Sequence, residues 1–119
     1  MRSYERLAEI IEEYIQDKKY DELRHRLEYA NTFELTRAFS KLSSGIQCRF
    51  LELIELEKSA RIMKLSLRLG IPLKSFLNIA SKEYVIKLLA ACDPDDARIL
   101  LQLLPNKEAA ETLNTMPVA

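Results

Sequence analysis

The sequence predicts an all-α fold, a superhelical bundle of about eight or nine short helices set in α-solenoid-like pairs. Composition is the first of three observations behind that reading: among 119 residues there are 20 leucines but two valines and two glycines. Such a mixture favours helix and leaves little material for a sheet or for hairpin turns. The second is periodicity. Apolar residues recur at i, i+3, i+4, i+7 in Leu7/Ile10/Ile11/Tyr14, Leu35/Ala38/Phe39/Leu42, Val85/Leu88/Leu89/Cys92 and Ala97/Leu100/Leu101/Leu104, and each set marks one buried helical stripe. The third is punctuation, because start and stop signals recur about every 12 or 13 residues, so that a helix pair repeats at roughly 25. A single short helix cannot bury its own apolar face, whereas stacked pairs share a core. The repeat is degenerate in sequence, and a compact irregular bundle satisfies the same pattern.

Taken in order, Ser3 is placed to cap a first helix running to about Gln16, and a second over residues 20–29 carries Leu23 and Leu27 inward. Thr32 opens a third. Ser43-Ser44-Gly45 breaks the chain before a fourth helix, whose inner face reads Ile46, Phe50, Leu53 and Ile54. A fifth, over residues 57–69, ends at Gly70, the residue that most easily takes the left-handed conformation after a helix, and Pro72 suits the first position of a brief sixth. Ser81, Asp93 and Asn106 have the chemistry of N-caps for three more.

These elements amount to one domain over residues 1–119, long enough to bury roughly two thirds of the surface its unfolded chain exposes without help from a disulfide or a structural metal. With 48% hydrophobic and 30% charged residues the chain reads as globular. Its longest apolar stretches, residues 85–92 and 99–104, fall far short of the roughly 20 residues of a membrane helix, so direct membrane insertion is not expected. The N-terminus leads into an acidic amphipathic segment without an apolar signal core, which makes the cytoplasm the expected location. Eighteen Lys and Arg balance 18 Asp and Glu, leaving no electrostatic reason for a nucleic-acid partner. Cys48 and Cys92 show no C-x-x-C spacing and read as reduced core residues.

The sharpest local signal is Asp93-Pro94-Asp95-Asp96 ahead of an apolar stripe. As structure, Asp93 caps, Pro94 supplies a ready-made φ at the first helical position, and Asp95 and Asp96 meet the positive end of the helix dipole. As chemistry, Asp93, Asp95 and Asp96 within one turn are candidate ligands for a hydrated Mg²⁺, which takes one or two protein carboxylates and keeps several waters. Capping is the reading that spacing favours. His25, the sole histidine, lies on a basic helical face with no companion that would make it a general base or a zinc ligand. Arg61, Lys64 and Arg68 share a helical face that could hold phosphate, but acids nearby and the lack of interleaved aromatics favour a solvated face. No G-x-S-x-G, P-loop or G-x-G-x-x-G is present, and an enzyme is not expected.

The succession of Asp17-Lys18-Lys19-Tyr20-Asp21-Glu22-Leu23 after a short acidic helix, Glu34-Leu35, Phe39, Leu42, Leu53, Ala60, Asp93-Pro94-Asp95-Asp96-Ala97 with Leu100-Leu101 and Leu104-Pro105, and finally Leu113 and Met116 resembles the N-terminal cytosolic domain of MgtE-type magnesium transporters. The resemblance covers almost the whole chain and implies a superhelix of short helices. It further implies a regulatory role, Mg²⁺-sensing or gating, in which acids of this domain and of paired CBS domains are bridged by Mg²⁺ while transport proceeds in membrane segments elsewhere. Asp95 and Asp96, with Asp93, are the acids that would serve. Arg61 and Ile99 stand where family members often carry acids. The alternative from another class is a helical scaffold that binds a partner protein, as in the similar helical domains of a flagellar switch protein, although the Glu-His-Pro-Gln segment expected of that protein is missing.

Overall fold

The structure is a computed structural model that describes residues 2–104. Among these residues there are eight helices and no strand: α1 (Ser3–Gln16), α2 (Tyr20–Leu27), α3 (Thr32–Phe39), α4 (Ser44–Leu53), α5 (Leu56–Leu69), α6 (Lys74–Ile79), α7 (Lys82–Ala91) and α8 (Pro94–Gln102). The helix expected after Asn106, together with Pro105, Leu113 and Met116, lies outside the described residues. The all-α expectation holds.

The boundaries follow from backbone hydrogen bonding, and some differ from the sequence reading. Arg2, not Ser3, holds the N-cap of α1: its extended backbone turns its carbonyl toward the N–H groups of Glu5 and Arg6 at 3.0 and 3.2 Å. Ser3 is therefore already helical, and its hydroxyl donates to Glu34 instead. The helix ends in a Schellman turn in which Lys19 N–H reaches Tyr14 C=O and Lys18 takes a positive φ of 58°, a conformation that a side chain disfavours by about 1–2 kcal/mol. Gly70 makes the equivalent turn after α5 at φ 72° without that cost. Asn31 caps α3 through its side-chain oxygen, which accepts from Phe33 N–H and Glu34 N–H, and Ser81 caps α7 by accepting from Tyr84 N–H. Pro72 precedes α6 rather than starting it, since Leu73 occupies the N-cap with its side chain buried.

The helices pack as an all-α bundle built on alternate helices. Helices α1, α3, α5 and α7 lie against one another in series, α4 packs on α6, and α8 closes the end against α5 and α7. Phe39 of α3 and Phe76 of α6 meet edge to face, with ring centroids 5.6 Å apart. The stripe Leu35/Ala38/Phe39/Leu42 is wholly buried, as its spacing predicts. On α4 the inner face is Gln47, Cys48, Phe50 and Leu51, a rotation from the expected Ile46, Phe50, Leu53 and Ile54, of which Ile46, Leu53 and Ile54 are half-buried. Gln47 is the cause: its side-chain amide donates to Phe39 C=O at 2.8 Å, so a polar residue enters the core with its donor satisfied.

On α8 three of the four stripe residues, Ala97, Leu100 and Leu104, are buried as the spacing predicts, and Leu101 is half-buried against the core. Leu100 is fully buried while Leu101 sits at the edge, because α8 meets α5 and α7 along the line of Ala97, Leu100 and Leu104. No helix among the described residues is long and apolar enough to cross a membrane. The packing gives a direct test in chemical denaturation. Leu100→Ala is expected to cost about 2–5 kcal/mol and Leu101→Ala clearly less, and an equal or reversed loss would contradict this orientation of α8.

Candidate functional site

The most distinctive polar feature lies where α5, the end of α7 and the start of α8 converge. Helix α5 buries Ser59, Ile62, Met63 and Ser66, which leaves Arg61, Lys64 and Arg68 along its outer flank at spacings of three and four residues. The chain leaves α7 at Cys92 with an extended backbone, and Asp93 continues it at ψ 146° before Pro94 begins α8, with the Asp93 side chain meeting Lys64. The result is an open cleft of about 390 Å³ lined by Glu57, Arg61, Lys64, Asp93 and Asp96 together with Ala60, Ala91 and Cys92.

Within the cleft the Lys64 ammonium donates to the Asp93 carboxylate and stands 3.9 Å from the carboxylate of Asp96. That contact holds the Asp93 carboxyl below the usual carboxylate range and raises Lys64 above the usual lysine value, the hydrogen bond between them being the largest cause of each shift. Asp93 thus occupies the N-cap position, its carbonyl accepting from Ala97 N–H at 2.9 Å, but its side chain makes no capping bond. The capping role expected of Asp93 is corrected accordingly: the neighbouring ammonium outcompetes neutral backbone N–H groups for the carboxylate. Asp96 is mostly enclosed, its side chain 18% exposed. Asp95 stands apart at 90% exposure and 3.7 Å from Arg98 on its own helix. The structure therefore brings Asp93 and Asp96 together and sets Asp95 aside.

Cys92, half-buried, also lines the cleft. Burial, with the nearby Asp96 and Asp93 carboxylates, pushes its thiol up to about 11, so at neutral pH it is the protonated thiol and a poor nucleophile. Cys48 is likewise pushed up to about 11, chiefly by burial, and its Sγ lies 3.7 Å from Phe76 C=O. Both thiols are free. His25 is surface-exposed, 3.8 Å from Glu28, and takes no part in the cleft lining. Arg61 reaches the cleft without an ion pair among the described residues. Sequence reasoning put Lys64 on a solvated basic face and missed its partners, the nearer of which lies 29 residues away in the chain.

The Lys64–Asp93 pair makes the stability of this corner depend on pH in a definite direction. A carboxyl with a lowered pKa contributes stability above its ordinary pKa and loses it as pH falls through the lowered one. A lysine with a raised pKa contributes below its ordinary pKa and loses that contribution as pH rises through the raised one. The difference in urea midpoint between wild type and Lys64→Met is expected to be greatest between about pH 5 and about pH 9 and to shrink toward both extremes. A difference independent of pH would contradict a stabilising Lys64–Asp93 ion pair. Comparison of the chain with family models, curated proteins and solved structures finds no match.

Proposed function

We propose that this chain is a non-catalytic regulatory domain of the gating kind that its resemblance to the MgtE N-terminal domain implies, acting by docking its α5–α8 cleft against a partner domain such as a CBS pair. The observation that carries the reading is the cleft's make-up: acids and cations side by side in an open recess, with its one thiol held protonated. Charges of both signs at the rim of a contact set its register and speed its formation more than they add affinity, which suits a contact that has to form and release. Arg61 is the cation of the cleft lining available to a partner, since Lys64 is engaged by Asp93 and Asp96, and Asp95 and Arg98 pair with each other beside it.

A second reading, a helical scaffold for another protein, draws support from a different part of the molecule. At the junction of α2 and α3, Tyr29 is 91% and Phe33 51% exposed. Exposed aromatics of this kind often anchor protein–protein contacts.

The test is an exchange. Residues 1–119 replace the N-terminal domain of an MgtE-type transporter, and ion uptake into proteoliposomes is compared with that of the same transporter lacking the domain. Slower, regulated uptake that Arg61→Glu relieves is the expected result. Uptake equal to that of the domain-less transporter would contradict the gating role, and relief by Tyr29→Ala but not Arg61→Glu would favour the scaffold reading.

A further inference from the structure

The acids that the resemblance would assign to magnesium are not arranged to receive it. Asp95 lies beside Arg98, Asp93 and Asp96 already face Lys64, and among the described residues no group of three or more His, Cys, Asp or Glu could hold a metal ion. We infer that Lys64 is the resident cation of the Asp93–Asp96 turn, its ammonium standing where a divalent ion would otherwise bridge the two carboxylates, so that the turn is neutralised from within the chain.

Three physical points support this. An ammonium carries three donors on a compact charge, and so serves two carboxylates at once, as it does here with one direct hydrogen bond and one ion pair. It is also tethered: α5 and α8 pack against each other, which holds Lys64 beside the turn at an effective concentration on the order of millimolar or above, with no binding step. Magnesium sheds its waters reluctantly and needs one or two carboxylates, and of the three in this turn two face Lys64 while the third, Asp95, lies beside Arg98. Arg61 and Arg68, one turn to either side of Lys64, add like charge along the approach to the turn, while Glu57 is the other acid on the cleft lining. A dication that bridges Asp93 and Asp96 has to displace Lys64 into that row of cations.

For gating, and resting on the regulatory reading above, the consequence is a domain whose docking does not wait for magnesium. Charge repulsion between acidic faces, which a free divalent ion would otherwise have to relieve, is already reduced by a side chain. Regulation would then come through whatever competes for Asp93 and Asp96, or through ionic strength, since salt weakens an ion pair this exposed.

Manganese serves as the probe, because it takes the same oxygen ligands and its unpaired electrons broaden nearby amide signals in NMR. In wild type, the amides of Asp93, Asp95, Asp96 and Ala97 are expected to broaden no sooner than those of Glu12 and Glu13, exposed acids on α1. In Lys64→Met, broadening centred on the turn should appear at about tenfold lower Mn²⁺, while Lys64→Arg, which keeps the charge, stays close to wild type. Early broadening at the turn in wild type would overturn the assignment without any variant, and so would a turn in Lys64→Met no more sensitive than that of wild type. The transporter exchange separates this from the reading beneath it. Gating that persists and responds to magnesium alike in wild type and in Lys64→Met defeats the Lys64 assignment alone, whereas loss of gating altogether defeats the docking role.

Discussion

Burial of one face of α5 is the interaction on which the rest of the structure depends. Ser59, Ile62, Met63 and Ser66 are fully enclosed, and the helix that carries them packs against α3, α4, α7 and α8. Each large apolar side chain enclosed in this way contributes about 1.5–3 kcal/mol, and the two serines keep the helix slim enough for neighbours to approach on both sides. Ser59 meets the requirement for satisfied polar groups in the core by donating to Leu51 C=O at 2.9 Å. Helices of eight or ten residues, such as α3 and α7, cannot stand alone in water, and they persist here because α5 offers each a surface.

The same helix determines the chemistry of the cleft. A helix that buries one flank presents the opposite flank at fixed spacing, so once Ile62 and Met63 face inward, Arg61 and Lys64 line the edge where α8 arrives. Helix α8 is fixed in turn by Leu100, which is fully buried, and by the extended backbone at Cys92 and Asp93. The ion pair between Lys64 and Asp93 is thus a product of the packing and not its cause. Its partners are 37% and 63% exposed, and water competes for both. What the pair supplies is an arrangement: it commits the Asp93 carboxylate to Lys64 in place of the helix end, with Asp96 beside it and Asp95 outside.

Much of the fold was legible in the sequence because it rests on local rules. The stripe from Leu35 to Leu42, the stop at Gly70, the cap at Ser81 and the entry of Pro94 each depend on residues within one or two turns. The errors arose where a distant partner overrides the local pattern. Gln47 turned α4 because Phe39 C=O was there to accept its amide, and Leu101, inside the correctly placed α8 stripe, is only half-buried because of where α5 and α7 lie. The site followed the same division. Asp93, Asp95 and Asp96 stood out as a motif, but which of them faces Lys64 is a property of the α5–α8 packing, and no spacing rule spans that separation.

The hold of α5 on the acidic turn of α8 through Lys64 is tested most directly by double-mutant cycles in chemical denaturation. Lys64→Met is combined in turn with Asp93→Asn, Asp96→Asn and Asp95→Asn at low and at high NaCl. The expected result is coupling of Lys64 to Asp93, weaker coupling to Asp96 and none to Asp95, all of it fading as salt rises. Coupling to Asp95 as strong as to Asp93, or strict additivity in every cycle, would contradict it.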